Sequence, residues 1–249
     1  MKSKISTLII TKNNEETIEK TLLSLKNLSN EIIVVDSVST DKTVEILKKN
    51  RATVIVKEFN NIGRQRMYGM KYVTGDLVLI LDSDEMVSEK LKKEIKKVYR
   101  QARKSNITAY EIPFQNHFLG RPVKYGGENY KMLRLFRKEA LEIKPLELHN
   151  YFVIKRGETG KLKGKIFHYS YRSLSQVYRK FTDYAIRDAK IRAQKGEKSS
   201  LKKIFLYPIH MFYASFINDK GYKDGLFRIP LDLGFAYMEF LTYIILATL

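Results

Sequence analysis

Two aspartates one residue apart, Asp82 and Asp84, directly follow five apolar residues, Leu77–Leu81. Carboxylates at that spacing can hold a divalent cation through oxygen, and a cation so held can grip a diphosphate. An acidic turn that caps the following helix uses the same residue types, and the pair alone does not separate the two readings. Two more polar sets follow apolar runs: Thr11, Asn13 and Glu15 after Ile5–Ile10, and Asp36 after Ile32–Val35. A carboxylate just past a strand can accept from a base N–H or a ribose hydroxyl. For Asp36 the alternative is a turn or N-cap role.

The elements around these residues must place them together. Leu77–Leu81 has the length of a strand buried on both faces, and Gly75–Asp76 in front of it is a turn signal. Ile5–Ile10, Ile32–Val35 and Thr53–Val56 are further strands. Between the first two, Ile18, Leu22, Leu25 and Leu28 line one face of a helix over Glu15–Leu28. Ser39 or Thr40 caps a second helix carrying Val44, Ile46 and Leu47, and Asn61–Val73 forms a third. Ser88 caps a fourth, carrying Leu91, Ile95 and Val98. Alternation of this kind predicts right-handed crossovers and a largely parallel sheet. It stops near residue 105, which favours an open sheet over a barrel. All three polar sets then fall on one sheet edge, where open α/β sheets bind ligands.

Composition narrows the chemistry. The chain has 249 residues, 44% of them hydrophobic, enough for a real core. It has no cysteine, which excludes disulfides, thiolate metal sites and cysteine nucleophiles. The N-terminal apolar run is too short for a signal peptide. Gly63 is the first glycine, so no glycine-rich phosphate loop follows the first strand. A NAD-binding domain, a P-loop enzyme and a sugar-phosphate nucleotidyltransferase are thereby disfavoured; any nucleotide is held by side chains and a metal. A net charge of +19 favours polyanions: nucleic acid, an anionic membrane face or phosphorylated substrates. The basic residues are scattered over many elements and no nucleic-acid-binding motif occurs, so nucleic acid is not the expected partner.

Three stretches, IITKNNEETI, EIIVVDSVSTDKTVEI and GRQRMYGMKYVTGDLVLILDSDE, resemble in order and spacing the N-terminal half of family 2 inverting glycosyltransferases. The resemblance continues through YGGENYKMLRLFRK, GKIFHYSYRS and KGYKDGLFRIP, and is narrowest to the lipopolysaccharide-core β-1,4-glucosyltransferase subgroup. It implies a GT-A fold, a Rossmann-like, mostly parallel open sheet followed by a helical C-terminal region. It implies transfer from a nucleotide-sugar donor, UDP-linked, to a lipid-linked or phosphorylated saccharide in cell-envelope glycan synthesis. Carried over by residue, Thr11, Asn13, Glu15 and Asp36 would contact the nucleoside and Arg66 would reach the donor. Asp82 and Asp84, the DxD motif, would serve the ribose and a Mg²⁺ or Mn²⁺ on the diphosphate. Met67 stands where asparagine is usual. The rival readings are a basic nucleic-acid-binding protein and an inactive glycosyltransferase-like scaffold.

Beyond residue 105, Ala109–Phe114 and Met132–Phe136 alternate like strands around a polar, glycine-containing loop at Asn116–Gly127. Inversion needs a base beside the acceptor hydroxyl. Relatives carry a His-Glu pair where this chain has His149-Asn150, and asparagine cannot take the proton. Glu128 and Glu147 are the alternative bases. His149 and His168 are further metal candidates, or structural histidines. The division expected is a catalytic domain over 1–170, with a nucleotide-sugar half to 104 and an acceptor half from 105, then a helical region over 171–249. In that region Leu174–Gln194 is a helix, Leu201–Ile217 a basic-aromatic helix interrupted or kinked at Pro208, and Leu226–Leu249 mostly apolar. Arg228, Asp232 and Glu239 break the last stretch, so a surface-lying element at an anionic membrane is expected rather than a span. The expected location is cytoplasmic, peripheral on the inner face of the cytoplasmic membrane; packing on the sheet domain or in a homo-oligomer is the alternative.

Overall fold

A computed structural model describes residues 4–59, 61–101, 105–145 and 150–249, the side chains of Pro145, Asn150 and Tyr151 aside. In chain order the elements are β1 (Ile5–Thr11), α1 (Ile18–Ser24), β2 (Glu31–Asp36), α2 (Thr43–Lys49), β3 (Thr53–Val56), α3 (Ile62–Met70) and β4 (Leu77–Asp82). There follow β5 (Glu85–Val87), α4 (Glu89–Gln101), β6 (Ile107–Phe118), β7 (Arg121–Pro122), β8 (Lys131–Arg137), β9 (Leu141–Pro145) and β10 (Asn150–Ile154). Next come β11 (Glu158–Lys161), β12 (Ile166–Tyr171), α5 (Leu174–Gln194), α6 (Leu201–Tyr213) and α7 (Ile229–Thr248). The chain forms two compact units, one of residues 1–114 with 131–168, the other of 115–130 with 169–249.

In the first unit β3, β2, β1 and β4 lie side by side in that order, all parallel, and β8 then adds antiparallel to β4. Alternate residues of the central strands face opposite sides. Ile5, Ile9, Leu77, Leu79 and Leu81 pack with Ile18, Leu22, Leu47, Leu91 and Ile95, so α1, α2 and α4 cover one face. Leu8, Ile33, Val35, Val78 and Ile80 pack with Val73, Phe136 and Ile143, with Tyr68 and Met70 of α3 on that second face. Burial on both sides is why β4 has no polar alternation. Gly69 lets α3 approach closely, since a Cβ there would stand 2.4 Å from Leu8 Cδ1.

Several boundaries differ from the sequence reading. α2 starts at Thr43 behind Lys42, not behind the expected cap Ser39 or Thr40, and α3 ends at Met70 rather than Val73. The helix expected over Glu15–Leu28 is only α1, although Leu25 and Leu28 remain buried in the turns that follow. Asn27, at φ +62°, bends the chain back towards β2 before the helix can use them. β6 runs on to Phe118 through the expected loop, returning at Leu119–Gly120 to pair with β7.

In the second unit Val177 and Phe181 of α5 pack with Leu231 of α7, Phe118 and Val123. Ala189 joins Tyr243 and Leu246 farther along. α5 begins at Ser173, whose hydroxyl caps it by accepting from Gln176 N. α6 continues through Pro208, and the regular helix gives way only at a π turn, Ala214–Asn218.

Candidate functional site

Strand register brings the three polar sets to one edge: Thr11 stands opposite Asp36, and Ile10 opposite Asp82. Asp36 is buried and accepts from Ser39 N at 2.9 Å, with Ser39 Oγ at 2.5 Å from its other oxygen. Thr11 is buried and its Oγ1 has no hydrogen-bond partner among the described residues. Close by, Gln65 of α3 donates through Nε2 to Ser37 Oγ, Lys57 O and Glu58 O, while its buried Oε1 has no partner. Two buried oxygens thus await donors or acceptors around the end of β2, a cost that a polar ligand or water would remove. Asn13 and Glu15 are placed differently. Asn13 Oδ1 accepts from Thr40 N and Glu15 Oε2 from Lys42 N, so both shape the loop between β2 and α2.

The acidic turn after β4 is built into a charge network. Asp82 Oδ1 lies 2.5 Å from Arg66 Nη2, and its Oδ2 lies 3.4 Å from Arg134 Nη2. Arg134 Nη2 also pairs with Glu85 at 2.7 Å, and Glu85 Oε2 accepts from Asp82 N at 2.9 Å. Burial works against the Asp82 charge, but the guanidiniums of Arg66 and Arg134 outweigh it and hold the carboxyl well below the usual range. Burial pushes Glu85 up to about 7, against the pull of Arg134. Ser83 is pinned from α1: its carbonyl accepts from Thr17 Oγ1 and Thr21 Oγ1, and its hydroxyl from Asn14 Nδ2. These contacts fix where Asp84 emerges.

Asp84 meets His168 across this turn. β12 pairs antiparallel with β5, which sets His168 opposite Glu85 and its Nε2 3.5 Å from Asp84 Oδ1. Both side chains are partly exposed, 21% for Asp84 and 16% for His168. A carboxylate oxygen and an imidazole nitrogen so placed suit a borderline divalent cation such as Mn²⁺. Among the described residues no group of three or more acidic or histidine side chains could hold an ion by itself. The pair fits a cation whose remaining ligands are diphosphate oxygens and water. Glu147 and His149 lie outside the described residues.

Glu128 belongs to the second unit. It is buried, and Asn116 Nδ2 donates both to its Oε2 at 2.8 Å and to its carbonyl at 3.1 Å. The segment before it is clamped by the residues around Arg228. Arg228, fully buried, donates to Tyr125 O and Gly126 O and pairs with Asp232 at 3.0 Å. Asp224 Oδ2 accepts from Lys124 N and Tyr125 N. Gly126 has φ +68°, and a Cβ there would stand 1.9 Å from Arg228 Nη2, so only glycine fits. The stretches YGGEN and KGYKDGLFRIP are therefore two halves of one structure.

Sequence reasoning missed Arg134, Glu85, Gln65 and Thr21, and took Arg228 for a charge of a surface-lying element, whereas it is fully buried. The signals were an arginine inside the apolar run of β8, a third acid after Asp84, and an arginine in a mostly apolar terminal stretch. Nothing in the sequence marked Gln65 or Thr21.

Comparison with known proteins decides the family: the model of glycosyl transferase family 2 matches residues 6–170. The chain belongs to that family. It is similar to glycosyltransferases of Rickettsia prowazekii (strain Madrid E), 32% identical over 248 residues, and Rickettsia typhi (strain ATCC VR-144 / Wilmington), 30% identical over 247. Each alignment covers 96% of this chain and 85% of the relative. Glycosyltransferase SunS of Bacillus subtilis (strain 168) is 34% identical over 115 residues, 45% of this chain and 27% of its own. Among solved structures, glucosyl-3-phosphoglycerate synthase of Mycobacterium tuberculosis is similar over 56% of this chain and 58% of its own, with TM-score 0.39 and 20% identity. A mycobacterial protein is similar over 70% of each chain, with TM-score 0.46 and 16% identity. This family 2 member is an enzyme, a glycosyltransferase, and its α/β sheet with the acidic turn closing β4 is the GT-A fold.

Proposed function

We propose that this glycosyltransferase inverts the anomeric centre as it moves a hexose from a UDP-linked donor to a lipid-linked or phosphorylated saccharide of cell-envelope glycan, of the lipopolysaccharide-core type. The observation that carries the donor reading is the Asp84–His168 pair, partly exposed beside an Asp82 locked between two arginines. Thr11 and Asp36 hold the nucleoside, with the unpartnered Thr11 and Gln65 oxygens supplying hydrogen bonds that protein groups leave unmade. Asp82, kept ionised by Arg66 and Arg134, accepts from a ribose hydroxyl. Asp84 and His168 hold Mg²⁺ or Mn²⁺, which when bound neutralises charge on the leaving diphosphate. Glu128 is assigned the base, with Asn116 orienting its carboxylate. An acceptor anchored in lipid places the enzyme on the inner face of the cytoplasmic membrane.

Titration calorimetry with UDP tests the donor site. Binding is expected to need Mn²⁺ or Mg²⁺ and to be lost in Asp84→Ala. Undiminished binding of UDP-sugar by Asp82→Ala/Asp84→Ala would falsify the assignment. Glu128→Gln is expected to keep UDP affinity and lose transfer.

A further inference from the structure

None of the thirteen residues of α6 is buried, although most are apolar. Leu201, Phe205, Ile209 and Tyr213 recur every four residues and are exposed, Leu201 by 75%, Phe205 by 59% and Ile209 by 66%. Leu206 joins the same side, and Ile217 continues it through the π turn. On a helix these positions sweep an arc of roughly 140°. The other side of α6 meets the rest of its unit, with Ile204 against the Ala189–Tyr243–Leu246 cluster and the Tyr207 ring edge-on to Tyr243.

Lysines flank both ends of the apolar row. Lys195, Lys198 and Lys202 are exposed at its start, and Lys220 and Lys223 beyond its end. Of the acids nearby, Glu197 is tied to Lys203 at 2.8 Å. This charge pattern disfavours a second copy of the chain as occupant. Two such rows packed face to face would bring lysine against lysine at both ends, parallel or antiparallel. A surface rich in phosphate headgroups satisfies both features at once.

Residues Leu226–Thr248, which include α7, are long and apolar enough to cross a membrane, with mean hydropathy 1.4. α7 nevertheless carries buried carboxylates: Asp232 pairs with Arg228, and Glu239 lies 3.6 Å from Arg192 of α5. It is the helix on which α5 and α6 pack.

We infer that α6 lies in the plane of an anionic bilayer, its Leu201–Phe205–Ile209–Tyr213 row in the boundary between headgroups and acyl chains and its terminal lysines at the phosphates. The inference rests on the proposed lipid-linked acceptor for its purpose, but vesicle binding does not require catalysis. It names the element that binds and assigns α7 to the interior of the helical unit.

The chain has no tryptophan, so one introduced residue reports alone. Ile209→Trp in the full chain is expected to shift its fluorescence to the blue with phosphatidylglycerol–phosphatidylcholine vesicles, whereas Leu23→Trp, exposed on α1, stays unchanged. Phe205→Asp/Ile209→Asp is expected to weaken vesicle partitioning about tenfold or more. Lys198→Gln/Lys202→Gln/Lys220→Gln/Lys223→Gln is expected to remove the preference for phosphatidylglycerol and its salt dependence. All these side chains are exposed, so melting temperatures serve as the folding control.

An unshifted Ile209→Trp spectrum, or undiminished partitioning of the double aspartate variant, overturns the inference. So does a wild-type dimer by sedimentation that the double aspartate variant dissociates, since the face is then a contact between copies. Vesicle binding by a chain with no UDP affinity would sink the proposed function and leave this inference standing.

Discussion

Each unit holds a buried network of arginine and carboxylate, and the two networks do different things. In the first unit Arg66 and Arg134 bracket Asp82, Glu85 closes the circuit, and the next acid, Asp84, emerges partly exposed against His168. In the second, Arg228 and Asp232 are both fully buried and their bonds go to Ser215, Asp224 and the backbone of Tyr125 and Gly126. The first network has a partly exposed carboxylate, Asp84, at its rim; the second joins two stretches of chain. Buried charge by itself therefore does not mark a site.

That contrast can be broken by substitution. The largest effect is expected at Asp84→Ala. An opposed charge pair at ~4 Å contributes on the order of 4 kcal/mol at an effective dielectric near 20, about a thousandfold in transfer rate. Urea unfolding of that variant should move by no more than about 1 kcal/mol, and a larger loss would make the first network as structural as the second. Asp232→Ala should do the opposite. It leaves Arg228 buried with only the more distant Asp224 as counter-charge, and should cost about 3 kcal/mol of stability in urea. Calorimetric UDP affinity of the folded protein should not change.

Smaller changes sharpen the comparison. Thr21→Val removes one of two hydroxyls donating to Ser83 O, and should cost about 1 kcal/mol while raising the KM for donor, as steady-state kinetics would show. The last test lies in the second unit, at Tyr243. Burial raises its hydroxyl to about 12, with Arg192 opposing and Glu197 reinforcing the rise. A group raised in the folded state loses its stabilising contribution as pH climbs from its unfolded value, near 10, through about 12. Thermal melts should show stability of the wild type falling over that window, and a shallower fall in Tyr243→Phe.

How much of this was legible beforehand varied along the chain. β4 and its acidic pair could be read directly, since five consecutive apolar residues flanked by a turn signal and two acids admit few placements. α5 has the bounds expected from the sequence, Leu174–Gln194, and the structure shows Ser173 capping its start. Of the Asn116–Gly127 segment expected as a loop, 116–118 complete β6 and Arg121–Pro122 form β7, while the rest is turn and loop. Asn116 and His117 are buried polar residues on β6, held by groups distant in sequence: Asn116 by its hydrogen bond to Glu128, and His117 by stacking on Tyr169. Asn13 and Glu15, assigned to a nucleoside by resemblance, each also accept a backbone N–H from the neighbouring loop, which the sequence did not show.

The resemblance of whole stretches carried the family. Hydrophobic patterning by itself determined the alternation of β1–β4 with α1–α4 and the shared edge at which their polar ends meet. Those depend on hydrophobic period and on chirality, which act within a few dozen residues. Tertiary structure alone decided that Arg66 and Arg134 hold Asp82, that His168 comes to Asp84, and that Arg228 grips the Tyr125–Gly126 backbone. The physical reason is that these contacts join groups 16, 52, 84 and about a hundred residues apart, and no local pattern says which distant groups the fold will bring together.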